Sequence, residues 1–336
     1  NLVAGNPVIV KPHPGAILPI AMAIAAIQRV LQAHGQDPQL CQLAADTPEQ
    51  PMTKLLAEHP AVKLIDYTGG SAFGRYVESL PGKTVFTEKA GVNSVILDSV
   101  TDLDAVLQNL AFSVCLYSGQ MCTAPQNFFI PETGVGTPAG KVGYAEVCQR
   151  FSEAVQAIVN NPKMGAGTLG ALQNKATLDR ALSAGKLGGT VLLAGTPLPQ
   201  EAYPQARSCT PSLLQVSGET PQVFEKELFG PVVLLIKTHD TADAIRLARN
   251  MAEKHGAITC AAYTTDATVK EQVVEEMNRV FTPVSLNFTG PIWVNQHAAF
   301  SDFHVTGGNP AGNASFTNPE FINRRFVWIG NREVIN

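Results

Sequence analysis

The segment Ser118-Gly119-Gln120-Met121-Cys122-Thr123 lies between the end of an apolar helical pattern and the strand-like run 127–130, so Cys122 falls in a turn rather than in a packed stripe. A turn cysteine can serve as a nucleophile, whereas a cysteine in a core is an inert small hydrophobe, and the pattern leaves both open for Cys122. Cys115, within the helical pattern, reads as core, as do Cys41, Cys148 and Cys260. Thr87-Glu88-Lys89-Ala90-Gly91 sets a carboxylate at a strand exit beside a small-residue turn. Buried near a thiol, Glu88 would be a general base; otherwise it pairs with Lys89 or faces solvent. Gly69-Gly70-Ser71-Ala72-Phe73-Gly74 separates a strand from a helix, where small residues let backbone N–H groups and a positive helix end approach a phosphate, although a plain tight turn has the same look. Glu227-Leu228-Phe229-Gly230-Pro231 precedes a buried strand and reads first as a turn. Lys11-Pro12-His13-Pro14 closes the first strand, placing Lys11 either against a ribose or phosphate at the sheet edge or in solvent. The seven histidines contain no HExxH and no tight cluster, and the six cysteines no CxxC pair, so no metal is expected.

The elements that must position these residues alternate. Residues 7–11 predict a strand buried on both faces, followed by a helix ending at Gly35, whose apolar run 16–27 predicts a buried segment short of the ~20 residues that span a bilayer. Thr47-Pro48-Glu49-Gln50 has the pattern of a helix start, and Thr101 with Asp104 three residues on has it again. Strands are expected at 62–68, 83–88, 94–98, 127–130, 191–194, 232–237, 258–264 and 283–287, and helices after Gly70 and at 144–159, 241–253 and 267–279. Strand and helix in turn make an α/β fold. Residues 307–318 predict a loop, and 326–329 an edge strand that needs a sheet to join, a partner subunit's being one such destination.

A length of 336 residues suits two domains of ~150 each. The net charge of −4 leaves no basic face for a nucleic acid. Charged residues make up only 15% against ~25% in average domains, which predicts extensive burial, a subunit interface and hence an oligomer. Scattered cysteines point to a reducing, cytoplasmic compartment, with no secretion signal and no membrane anchor expected.

Taken in order, these segments resemble the aldehyde dehydrogenase superfamily over nearly the whole chain. Lys11 to Pro14 is similar to that family's Lys-Pro-Ser-Glu, the 67–74 turn to its pyrophosphate turn, Glu88 to Gly91 to its Glu-Leu-Gly-Gly, Gly119 to Cys122 to its Gly-Gln-x-Cys, and Glu227 to Pro231 to its Glu-x-Phe-Gly-Pro; the 34-residue step from Glu88 to Cys122 suits it. Ile292-Trp293-Val294-Asn295 resembles a late catalytic-domain segment. The resemblance implies a partial Rossmann-type cofactor domain at 1–91, a thiol-bearing catalytic domain at 92–296 and a C-terminal loop with an oligomerisation strand at 297–336. It implies Cys122 as nucleophile, Glu88 as general base, Lys11 and Pro14 at the adenosine ribose, Gly69, Gly70, Ser71 and Gly74 at the pyrophosphate, and Glu227 with Phe229 at the nicotinamide ribose and ring.

Departures sharpen the resemblance. Glu88-Lys89-Ala90-Gly91 lacks Leu-Gly-Gly, and Phe300-Ser301-Asp302-Phe303-His304 replaces Phe-Gly-Gly; both, with the 298–313 tail, resemble the phenylacetate-degradation branch, which acts on semialdehydes from aromatic-ring cleavage. Pro14 stands where many members carry the Glu that binds the 2′-hydroxyl, so NADP is favoured over NAD. The family's oxyanion-binding Asn has no counterpart here, which implies that the chain is the C-terminal portion of a longer protein. The substrate class is a small aldehyde, free or coenzyme A-linked. Two other classes stay open: a cofactor-independent cysteine thioesterase, which would leave the Gly-rich turn and Glu227 without purpose, and a non-catalytic scaffold.

Overall fold

The structure, a computed structural model, describes residue 2 and residues 5–289. Among the described residues two compact units emerge, one from the chain up to Asp66 with Val77–Val85, the other from Tyr67–Tyr76 and residues 86–289. The expected loop at 307–318, the segments 292–295 and 300–304, and the edge strand 326–329 lie outside the described residues.

In the first unit β1 (Val8–Val10) pairs in parallel with β2 (Cys41–Leu43), and α1 (Ile17–Ala33) supplies the crossover that parallel strands require. A 3-10 turn, Pro14–Ala16, opens it, with the His13 ring nitrogen accepting from the Gly15 N–H at 3.1 Å. Gly35 follows its end at φ +68°, as its sequence position suggests. Two expectations are corrected here. Ile9 is 51% exposed, so β1 is not buried on both faces, and α1 buries only Ile24 while leaving Leu18 and Met22 bare. A two-stranded sheet covers one stripe of a helix and no more. By length and composition the 20 residues Pro14–Ala33, at mean hydropathy 1.6, are long and apolar enough to cross a bilayer, and their place between parallel partners makes them the crossover of an α/β unit.

The helix expected from Thr47 does not form. Thr47 and Gln50 close a turn in which the Thr47 hydroxyl accepts from the Gln50 N–H, and α2 begins only afterwards (Thr53–Glu58). Pro51 is the reason, since it lacks an N–H and disfavours helical backbone at the residue before it. Next, β3 (Leu64–Gly69) runs into α3 (Ser71–Glu78) and pairs with β4 (Thr84–Lys89).

The second unit continues through β5 (Ser94–Leu97), α4 (Leu103–Cys115), β6 (Asn127–Pro131), the hairpin of β7 (Val135–Thr137) and β8 (Gly140–Val142), α5 (Tyr144–Val159), α6 (Gly165–Leu169), α7 (Lys175–Leu182), β9 (Thr190–Leu193), β10 (Ser212–Ser217), α8 (Pro221–Phe224), β11 (Val232–Thr238), α9 (Thr241–His255), β12 (Cys260–Tyr263), α10 (Ala267–Asn278) and β13 (Val284–Leu286). Seven strands form one sheet in the order β13-β12-β5-β6-β11-β10-β9, parallel except where β9 meets β10. Both faces are covered. Along β6, Phe128 and Ile130 pack with α4 and α5, while Phe129 packs with α9 and α10 on the other face, which is why these strands read as unbroken apolar runs. The hairpin, β10 and the short helices α6 and α7 escape the sequence reading, the hairpin because three-residue strands carry too little periodicity to register.

Asp102, not Thr101, caps α4, its carboxylate accepting from the Ala105 N–H at 3.0 Å. Asp102→Ala should therefore cost ~1 kcal/mol in urea unfolding, while Thr101→Ala should leave the midpoint nearly unmoved; equal losses would mean that the cap has been misassigned.

Candidate active site

The turn that carries Cys122 is built against its own preferences. After α4 the backbone passes through Tyr117 (φ 51°), Ser118 (φ 55°) and Gly119 (φ 63°), three left-handed residues in a row, two of them strained. Neighbours impose that path. The Ser118 hydroxyl donates to the Leu169 carbonyl, and Gln120 both donates to the Ala171 carbonyl at 2.9 Å and accepts from the Gln173 N–H at 2.8 Å. Gly119 is required for space, because a Cβ there would sit 2.6 Å from the Gly230 carbonyl oxygen. Glycine and glutamine thus dock the turn on two other segments, 227–231 and 169–173.

Cys122 and Glu88 come together. Glu88, one residue from the end of β4 and only 6% exposed, shares a hydrogen bond with the Cys122 thiol. Burial pushes that thiol up to about 12, the Glu88 charge and hydrogen bond push the same way, and the N–H groups of Cys122 and Thr123 pull against them. The sulfur therefore rests protonated beside the Glu88 side chain. Cys115 is buried at the end of α4, its thiol also raised to about 12 by burial alone, with no carboxylate acting on it. Cys41, Cys148 and Cys260 are buried too.

Glu227 faces a narrow cleft lined also by Asn93, Gly119, Cys122 and Phe229. Burial lifts its carboxyl to about 7 against the Gly91 N–H, which donates to it, and the Arg180 charge, while Glu88 adds to the rise. Gln126 brackets this residue by accepting from the Leu228 N–H at 2.6 Å and donating to the Lys226 carbonyl at 3.0 Å. Arg180 of α7 donates to the Phe229 carbonyl. None of Asn93, Gln126 or Arg180 stands out in the sequence; the available signal was a polar Gln126-Asn127 pair abutting a fully apolar strand. A larger depression near Gly170, Gln200 and Tyr203 holds no carboxylate, thiol or imidazole.

A thiol hydrogen-bonded to a carboxylate, with a second carboxyl beside it, is a pattern shared by more than one enzyme class, and comparison with known proteins separates them. The aldehyde dehydrogenase family model matches residues 1–320. The chain belongs to the aldehyde dehydrogenase family. An NAD-dependent aldehyde dehydrogenase from Burkholderia multivorans superimposes with a TM-score of 0.90 at 42% identity, covering 97% of this chain and 59% of its own. The gamma-glutamyl-gamma-aminobutyraldehyde dehydrogenase of Burkholderia cenocepacia J2315 gives 0.70 at 25% identity, covering 87% and 56%. The 1-pyrroline-5-carboxylate dehydrogenase of Bacillus subtilis (strain 168) is 25% identical over 262 residues, 74% of this chain and 47% of that protein. The chain thus spans about half the length of the curated relatives it matches.

Aldehyde dehydrogenases use a nicotinamide dinucleotide, and residues here fit one. At the start of α3 a Cβ on Gly70 would meet nothing within 4 Å, and the first turn carries no acidic residue, leaving room and a favourable dipole for a phosphate beside Ser71. Gly69 lies under Tyr67, whose hydroxyl would be 2.5 Å from a Cβ there. Gly74 lets the Lys89 stem cross α3, where a Cβ would come within 2.6 Å. Lys11 is neither solvated nor free: it pairs with Asp46 at 2.7 Å. Burial opposes the Asp46 charge, but the Lys11 hydrogen bond and the Met52 N–H outweigh it and hold the carboxyl below its usual range. Pro14 is half-buried at the head of the 3-10 turn. Among the described residues no three His, Cys, Asp or Glu side chains gather to hold a metal.

A carboxyl that titrates near 7 in the fold and near 4.5 when unfolded favours folding fully below pH 4.5 and loses that advantage as pH rises through 7. At 1.36 kcal/mol per pH unit this amounts to about 3 kcal/mol at most. Urea midpoints at pH 5 and pH 8 should differ by less in Glu227→Gln than in the parent protein; an undiminished difference would assign the loss to another group.

Proposed function

We propose that the protein oxidises a small aldehyde to the carboxylic acid, with NADP or NAD as acceptor and Cys122 as covalent nucleophile. What supports the reading most is the hydrogen bond between the Cys122 thiol and Glu88, with Cys122 lining a cleft alongside Glu227 and Phe229. Cys122 sulfur, its proton released to solvent, attacks the aldehyde carbon and gives a thiohemiacetal whose oxygen takes up a hydrogen bond from the Cys122 N–H. A bound nicotinamide, which Glu227 and Phe229 would hold, would supply the hydride acceptor for that carbon. Glu88 then deprotonates the water that attacks the resulting thioester, and the acid leaves as the thiol is restored. Glu227 and Phe229 orient the nicotinamide ribose and ring, Gly69, Gly70, Ser71 and Gly74 the pyrophosphate, and Lys11 the adenosine ribose.

The finer assignments belong to the same proposal. NADP is tolerated because Pro14 offers no carboxylate to repel a 2′-phosphate. The substrate is a semialdehyde from aromatic-ring cleavage, an assignment resting on the Glu88–Gly91 and 300–304 departures alone, since two of the relatives named above carry other substrates in their names and the third carries none. A homodimer or homotetramer is the expected assembly.

Intact-mass and peptide mapping after a thiol-reactive probe, with and without NADP, tests the site directly. Labelling should be confined to Cys122 and altered by NADP; scattered labelling with no NADP effect would sink the reading. In turnover, Cys122→Ala should abolish aldehyde oxidation and Cys115→Ala should spare it. Glu88→Gln should keep a burst of reduced cofactor while slowing turnover ~10²- to 10⁴-fold, because loss of the charge lowers the thiol's pKa whereas nothing replaces the base for water. A vanished burst would remove the deacylation role. For Pro14→Glu the ratio of kcat/KM for NADP over NAD should fall, and an unchanged ratio would refute the NADP assignment.

A further inference from the structure

Asn93 is 3% exposed and every valence of its amide is used. Its nitrogen donates to the carbonyl of Cys122 at 2.7 Å and to that of Ala124 at 3.0 Å; its oxygen accepts from the N–H groups of Ile258 at 3.0 Å and Thr259 at 3.1 Å. One side chain therefore ties the nucleophile's own peptide to the segments that enter β5 and β12.

We infer that Asn93 is a positioning residue for Cys122: by holding the Cys122 carbonyl it turns the next amide, the Thr123 N–H, toward the sulfur. The geometry follows from the peptide itself. A trans peptide points its C=O and N–H in opposite directions, and the chain has no cis bond among its described residues. With the carbonyl fixed on Asn93, the Thr123 N–H is left facing the opposite side, where it bonds the Cys122 sulfur. That N–H stabilises negative charge on sulfur, so the buried side chain sets how readily the thiol ionises without touching substrate or cofactor. The turn cannot supply this orientation alone, because Tyr117, Ser118 and Gly119 bring it to Cys122 through strained backbone.

The inference rests on Cys122 being the nucleophile of the proposed reaction, and its test uses neither aldehyde nor cofactor. The rate constant for iodoacetamide alkylation of Cys122 at pH 8 is followed by mass spectrometry in the whole chain, with folding checked by circular dichroism. Asn93→Ala should lower it about 3- to 10-fold, the range left when a rise of about one pKa unit is offset by the greater nucleophilicity of the more basic thiolate. Asn93→Ser, whose hydroxyl can donate to the same carbonyl, should recover part of that loss. A purely structural staple predicts the opposite sign, since a loosened turn exposes the sulfur and speeds alkylation. An unchanged or faster rate in either folded variant overturns the assignment, and if Asn93→Ala does not fold, Asn93→Ser decides by the same criterion. Failure of the dehydrogenase reading would look different: no NADP-linked turnover in the parent protein, with the alkylation difference intact.

Discussion

The site depends on the parallel register at the centre of the seven-stranded sheet. Cys260 lies beside Ser94, Ser94 beside Asn127, and Asn127 beside Leu234, so the segments that enter β12, β5, β6 and β11 arrive side by side at the amino edge of the sheet. Those segments carry Thr259, Asn93, Cys122 to Gln126, and Glu227 to Gly230. Open α/β sheets commonly bind ligands at the carboxyl edge. Here the thiol and Glu227 stand at the other edge.

Backbone groups in such lead-ins have left the ladder and still need partners. Asn93 and Gln126 supply them: two buried amides that together satisfy six backbone groups in three segments. Amides suit this task because each offers donors and an acceptor on one short, neutral group, so they can be buried at little desolvation cost once every valence is used.

The same burial gives the site its electrostatic character. Cys122 and Glu227 line one partly closed cleft, Glu88 is hydrogen-bonded to the thiol, and desolvation works against the charged form of both Cys122 and Glu227. Glu227 is raised into the neutral range, so this carboxyl keeps a proton at pH values where an exposed one would have lost it, and the Cys122 thiol is pushed further up. The strained run at Tyr117 and Ser118 is a second local cost, borne by a core of fully buried strands on either side.

Much was legible in the order of residues. Alternation of apolar strands with helices fixed the α/β class, and the order Gly-rich turn, Glu88, Cys122 and Glu227 carried the family resemblance, because such motifs are short-range patterns of residue type. Where sequence reasoning failed, a competing local rule won, as with Pro51 against the helix at Thr47 and Asp102 against the cap at Thr101. The burial of β1 and α1 was misjudged because an apolar run reports what a residue prefers, not whether a neighbour is there to cover it. Asn93, Gln126 and Arg180 were silent for a related reason: their partners lie up to 166 residues away in the chain. Sequence alone determined which groups could react. Only the tertiary structure decided that Glu88 meets Cys122, because that meeting depends on strand order and register, which no local pattern encodes.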